Sequence, residues 1–260
     1  MDRYVALGSS FASGPGIDPL VDVGCGRSGR NYAHLVAEWL GLDLVDVSSA
    51  GATVDDVLTA SQALMSGGTV PPQIGAVEPG TDLVTATVGG NDVGYLRTLL
   101  TCSYAADPAG APPEAAAFLG ERVDRAPVEE ALAGLPARLA ALVGAVRERA
   151  PQARVVLVDY LTVLPPAGSG CAALPMADDD LAFCRTVQHR LAAATADAAR
   201  VAGADLVRAS AASADHSACA AEPWVSGWEF GDVPGGGLAP YHPNAAGMAA
   251  VADLLADLLR

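Results

Sequence analysis

Four short segments of this chain hold residue types that together could carry out acyl transfer. Gly8-Ser9-Ser10-Phe11-Ala12-Ser13-Gly14 sets Ser10 directly after the apolar run Tyr4-Val5-Ala6-Leu7, between glycines that let the backbone turn sharply. A serine at the end of a buried strand is where α/β enzymes commonly mount an exposed nucleophile. Ser48-Ser49-Ala50-Gly51-Ala52-Thr53, Gly89-Gly90-Asn91-Asp92 and Pro240-Tyr241-His242-Pro243-Asn244 are the other three segments. Acyl transfer from an ester needs a nucleophile, a base for its proton, and donors for the developing oxyanion. Ser10 supplies the hydroxyl and His242 the imidazole. The backbone N–H groups of Ser10 and Gly51 and the side-chain amide of Asn91 are the candidate oxyanion donors.

These segments can meet only if the intervening chain brings them to one edge of a sheet. Short β-branched runs alternate with alanine- and leucine-rich stretches of helical period, the pattern of a parallel sheet covered by helices on both faces. The runs predict strands near 3–7, 43–47, 82–88, 154–159 and 205–207. Helices are expected over 31–40, 54–65, 136–150, 178–201 and 244–259, with Pro136 in the first turn of the third and Pro151 as its stop. Asp178, Asp179 and Asp180 read as helix-end stabilisation rather than a metal site. The stretches 66–79, 101–127, 165–177 and 209–241 read as long loops. In such a sheet, ligands bind beyond the C-terminal strand ends, and three of the strands run directly into candidate segments.

Bulk properties set the limits. The 260 residues, 51% hydrophobic, suffice for a substantial core, and no linker-like stretch divides them, so a single domain over 1–260 is expected. The formal charge of −15 opposes phosphate backbones, so nucleic acid is excluded as a partner. No membrane-length apolar run or stable anchor is seen, and a monomer is expected. Secretion is the favoured compartment if a signal peptide precedes the chain, the cytoplasm otherwise. The five cysteines, Cys25, Cys102, Cys171, Cys184 and Cys219, cannot all pair within one chain and lack the close spacing of zinc sites.

Taken together, the four segments resemble the SGNH, or GDSL, hydrolase superfamily, and within it the secreted actinobacterial lipases and esterases. The similarity is carried by Ala6-Leu7-Gly8-Ser9-Ser10-Phe11-Ala12-Ser13-Gly14, Ser49-Ala50-Gly51-Ala52-Thr53, Gly89-Gly90-Asn91-Asp92 and His242-Pro243-Asn244-Ala245-Ala246-Gly247, in the family's order. The resemblance implies an α/β/α sandwich on a five-stranded parallel sheet of flavodoxin-like type. It also implies hydrolysis of small-molecule or lipid esters, or thioesters, through an acyl-enzyme, with no metal and no cofactor. Cys171 and Cys219 stand where the secreted relatives have a disulfide pair, and Ser49 stands where Cys25 would find its partner. Two positions depart from the family. Ser9 replaces the aspartate that usually precedes the nucleophile, and Ala239 replaces the acid three residues before the histidine. Two orienters for His242 stay open: a main-chain carbonyl near Ala239, or Asp232 folding back. The carbonyl is preferred because it buries no charge.

Other readings are set beside these. The same machinery serves an acyltransferase or a carbohydrate deacetylase, and a chain that had lost its activity would be a binding module. Asp92 is expected to cap the next helix rather than to react. His34 and His189 fall in helices and read as surface or boundary residues. Asp215 and His216, adjacent on one segment, point apart. Trp224, Trp228 and Phe230 either line an acyl pocket or pack their loop onto the body.

Overall fold

A computed structural model of the chain describes residues 2–119, 122–230 and 240–260. Five strands form one parallel sheet: β1 (Arg3–Gly8), β2 (Asp43–Asp46), β3 (Leu83–Thr87), β4 (Arg154–Val158) and β5 (Asp205–Val207). Their order across the sheet is β2-β1-β3-β4-β5. The three inner strands are nearly continuous runs of buried residues, as expected where both faces are covered, whereas β2 and β5 at the edges are less buried.

From β1 the chain crosses to β2 on one side and then returns to β3 on the other, so the connections diverge between β1 and β3. That divergence opens a crevice at the C-terminal ends of these two strands. The register pairs Gly8 with Thr87, which brings the segments after Gly8 and after Thr87 out of the sheet side by side.

Among the described residues, seven of the helices position the rest, α1 (Ser10–Ser13), α2 (Tyr32–Leu40), α3 (Val54–Leu58), α4 (Tyr95–Ala106), α5 (Arg125–Arg149), α6 (Asp178–Ala202) and α7 (Ala245–Leu259), besides short turns at Ala116–Leu119 and at Ala209–Ala212, the latter opening the expected 209–241 loop. Helix α2 packs on α7, while α5 packs on α6 and is joined there by α3 and α4.

Three expectations about elements are corrected. Helix α3 stops at Leu58, and Gln62–Ala63 pairs instead with Thr69–Val70 as a short antiparallel hairpin closed through Gly67 and Gly68. The stretch 101–127 is not one loop, because α4 runs to Ala106, a helical turn spans Ala116–Leu119 and α5 begins at Arg125. Pro136 lies inside α5 rather than in its first turn. Its missing N–H leaves the Leu132 carbonyl without its helical donor, but Val128 and Leu132 extend the buried stripe of Leu135, Leu139, Leu142, Val143 and Val146. Burial of that whole stripe outweighs one lost hydrogen bond.

Candidate active site

The nucleophile segment is held by the strand ends. Gly8 has φ +139°, and a Cβ built there would lie 2.5 Å from the Thr87 carbonyl oxygen, so both conformation and space require glycine. Gln73 clamps this residue on both sides: the Gly8 N–H donates to Oε1 at 2.7 Å and Nε2 donates to the Gly8 carbonyl at 2.9 Å. Ser9 donates its N–H to Thr87 O at 2.9 Å, with its Oγ 3.3 Å from the same oxygen. The Tyr160 hydroxyl, just beyond β4, accepts the Gly90 N–H at 2.8 Å and stands 3.3 Å from Ser9 Oγ. With the Ser9 hydroxyl directed at Thr87, Tyr160 is the donor to Ser9. The residue that departs from the family's aspartate thus joins a network running from the nucleophile turn to the asparagine segment.

Ser10 opens α1, is buried, and shares a small cleft with Phe11, Gly90, Asn91, Tyr95, Leu96 and Tyr160. Gly51 lies outside that lining but is tied to it, because Asn91 Nδ2 donates to the Ala52 carbonyl at 2.9 Å. Neither the Ser10 N–H nor the Gly51 N–H donates to any acceptor among the described residues. One hydrogen of the Asn91 amide also stays available, since an amide carries two.

Asp92 has a role other than the expected one. Its carboxylate receives the Val54 N–H at 3.1 Å and an Arg138 ion pair at 2.8 Å, so it caps α3, which precedes it, and not the helix that follows. Helix α4 begins after Gly94, whose backbone turn takes that N-terminal place. Burial pushes the Asp92 carboxyl above its usual range, opposed by the Val54 N–H and Arg138. Together Asn91 and Asp92 tie the third segment to the second, at Ala52, and to the start of α3 that follows it, at Val54.

His242 is buried, and its Nδ1 lies 3.1 Å from the Pro240 carbonyl oxygen. The ring centroid stands 5.5 Å from that of Phe11, the neighbour of Ser10. Tyr241 takes φ +66°, costly for a tyrosine, and is held by burial and by a 2.5 Å hydroxyl contact with Ser103. Ser226 N–H donates to His242 O at 2.8 Å, and the His242 N–H donates to Ser226 Oγ at 3.2 Å. Asn244 caps α7 through the Gly247 N–H at 2.9 Å. The segment carrying Ser226 is fastened to the loop after β4 by the Cys171–Cys219 disulfide, with Cα atoms 5.8 Å apart, and by Trp228 N–H on the Ala173 carbonyl. Asp232 and Ala239 lie outside the described residues.

The remaining candidates fall elsewhere. His216 gives its Nδ1 a 2.7 Å contact with the Glu222 carbonyl and stacks on Trp224, while His34 meets Asn31 and Asp46. Trp228 stands edge-on to Phe230 and near Tyr241, so these aromatics pack the loop that carries Ser226. Cys25 is a buried free thiol, pushed up by burial and facing Ser49. Tyr160 and Gln73 were invisible to motif reading, yet one signal existed: Tyr160 sits just past the C-terminal end of a parallel strand, where ligand-facing residues concentrate.

Residues 6–250 match the GDSL-like lipase/acylhydrolase family. Lipase 2 of Streptomyces coelicolor is 35% identical, the alignment covering 98% of this chain and 85% of the relative. A lipase of Streptomyces rimosus is 30% identical over 85% of this chain and 75% of its own. Among solved structures, phospholipase A1 from Streptomyces albidoflavus superposes with TM-score 0.76 at 26% identity, covering 98% of both chains. The extracellular lipase from Streptomyces rimosus superposes with TM-score 0.71 at 27% identity, covering 100% of this chain and 99% of the other. Similarity along nearly the whole chain, on the parallel sheet described above, makes this protein a carboxyl ester hydrolase and a member of the GDSL-like lipase/acylhydrolase family.

Proposed function

We propose that the protein is a serine lipase or esterase that works through a Ser10–His242 pair. His242 takes the Ser10 proton as Oγ attacks the ester carbonyl. The oxyanion is received by the N–H groups of Ser10 and Gly51 and by the Asn91 amide. The alcohol leaves with the proton from His242, and water, deprotonated by the same imidazole, releases the acid. The observation that carries this reading is the set of unspent donors: the Ser10 and Gly51 N–H groups, without acceptors among the described residues, and one amide hydrogen of Asn91, which lines the same cleft as Ser10.

The Pro240 carbonyl, 3.1 Å from Nδ1, is the orienter in this reading and keeps the opposite nitrogen as the base. Lipid esters of short to medium acyl chain are the proposed substrates, in keeping with the lipase and phospholipase names of the relatives and with the apolar Phe11, Tyr95 and Leu96 around the cleft. Secretion is proposed from the extracellular relative and from the Cys171–Cys219 bond, which persists in oxidising compartments.

p-Nitrophenyl esters of increasing chain length test substrate and reaction together, run with and without an added alcohol acceptor. Turnover that peaks at short or medium chains and is indifferent to the alcohol supports hydrolysis. Absence of turnover at every length in folded protein would overturn it. Asp232→Ala should leave the rate within a few-fold; a loss of about a thousandfold or more would replace the carbonyl with a carboxylate.

A further inference from the structure

Gln62 belongs to none of the four segments, yet it touches the second. It starts the short hairpin after α3, is buried, and donates Nε2 to the Ala50 carbonyl at 2.7 Å. Its Oε1 is buried with no partner among the described residues, so the bond to Ala50 is what offsets burying this amide.

The Ala50 carbonyl and the Gly51 N–H are parts of one planar trans peptide and point to opposite sides. Whatever fixes the carbonyl therefore aims the N–H. The local turn cannot do so alone. Ala52 N–H donates to Ser49 O at 3.1 Å and Gly51 has φ +84°, the features of a type II turn with glycine in its third place. Flipping the 50–51 peptide converts such a turn to type I, and glycine accepts either sign of φ. The flipped form would point the Ala50 oxygen where the N–H now points.

We infer that Gln62 is a positioning residue that locks the Gly51 N–H toward the oxyanion. The inference rests on the reading of Gly51 as an oxyanion donor given above. Asn91 holds the Ala52 carbonyl, two residues further on, in the same manner, so side-chain amides grip the 50–51 and 52–53 peptides of this turn.

Gln62→Glu is the sharpest test, because the introduced carboxylate repels the Ala50 oxygen and attracts the Gly51 N–H, favouring the flipped peptide. The expected result is a fall in kcat of about 10- to 100-fold, below or near the loss of a whole oxyanion donor, with KM little changed. Affinity for a trifluoromethyl ketone, which forms a tetrahedral oxyanion on the serine, should fall by a similar factor, and the ratio of variant to wild-type rate should recover on acidification as the introduced carboxyl gains a proton and can donate. Gln62→Met, which removes the tie without inverting it, should give a smaller loss with no pH recovery, and carries the test if the glutamate variant does not fold. Asn91→Ala serves as the reference. If it weakens the ketone while both Gln62 variants bind it as wild type does, the role of Gln62 is overturned. If Asn91→Ala also leaves the ketone unaffected, the oxyanion reading itself fails, and the inference with it.

Discussion

The proposed nucleophile and the proposed base of this site are positioned by different means. Ser10 follows a central strand whose last residue is locked by register with Thr87, by the Gln73 clamp and, through Ser9, by Tyr160. Its place is set by the same hydrogen-bond ladder that defines the sheet. His242 belongs to no strand of that sheet. It hangs on an isolated bridge between Val225 and Pro243, a left-handed Tyr241, and a loop anchored by the Cys171–Cys219 disulfide. A proposed nucleophile set by the sheet and a proposed base mounted on loop ties teach that the two halves should fail separately: perturbing the loops ought to displace His242 while the turn at Ser10 keeps its form.

The largest effect is expected from His242→Ala, which removes the base outright and should lower kcat by about a thousandfold or more without changing the melting temperature much, as ester turnover and thermal melting together would report. A variant that keeps most of its rate would mean the loop carries no base at all. Next comes Cys171→Ser with Cys219→Ser. The bond closes a separation of 48 residues, so its loss should cost about 2–4 kcal/mol. Hydrogen exchange should then rise at 216–228 and 240–244 while β1 and β3 stay protected; uniform exposure of both halves would erase the contrast.

Tyr160→Phe acts on the opposite half. It removes the acceptor for Gly90 N–H and the donor to Ser9, leaving the ring in place. A loss of about 1–3 kcal/mol in stability is expected from the orphaned Gly90 group, with kcat falling more than KM rises. The smallest effect concerns Asp159, buried at the end of β4 and bonded to Ser210 Oγ at 2.6 Å. Burial raises its carboxyl to about 6, against the Ser210 and Arg208 interactions that lower it. The folded protein therefore binds a proton that the unfolded chain releases near 4, so this group's contribution to stability falls as pH rises from about 4 to about 6 and is flat above. Melting curves of Asp159→Asn should lack that decline, so the variant gains on the wild type across this window.

How much of this was readable beforehand follows the same division. The five strands and the four segments were legible because the inner parallel strands are nearly continuous buried runs and because Gly8 ends one strand while Gly51 and Asn91 follow two others within a few residues. Helix α4 was hidden by its buried face, where Thr98, Thr101, Cys102 and Ser103 interrupt the apolar stripe. Gln62 was assigned to a helix because its alanine- and leucine-rich surroundings suit one, although Gly67 and Gly68 signalled a hairpin. Gln73, Tyr160 and Gln62 act through hydrogen bonds to backbone groups remote in sequence, and such ties leave no period and no motif. The clamp on Gly8 spans 65 positions and the contact from Tyr160 to Ser9 spans 151.

The central claim is that Ser10 is the nucleophile, and covalent trapping tests it most directly. A fluorophosphonate probe followed by peptide mass spectrometry should place one adduct on Ser10 in the wild type. In folded Ser10→Ala protein, both the adduct and ester turnover should vanish. Labelling that persists undiminished in Ser10→Ala would contradict the account.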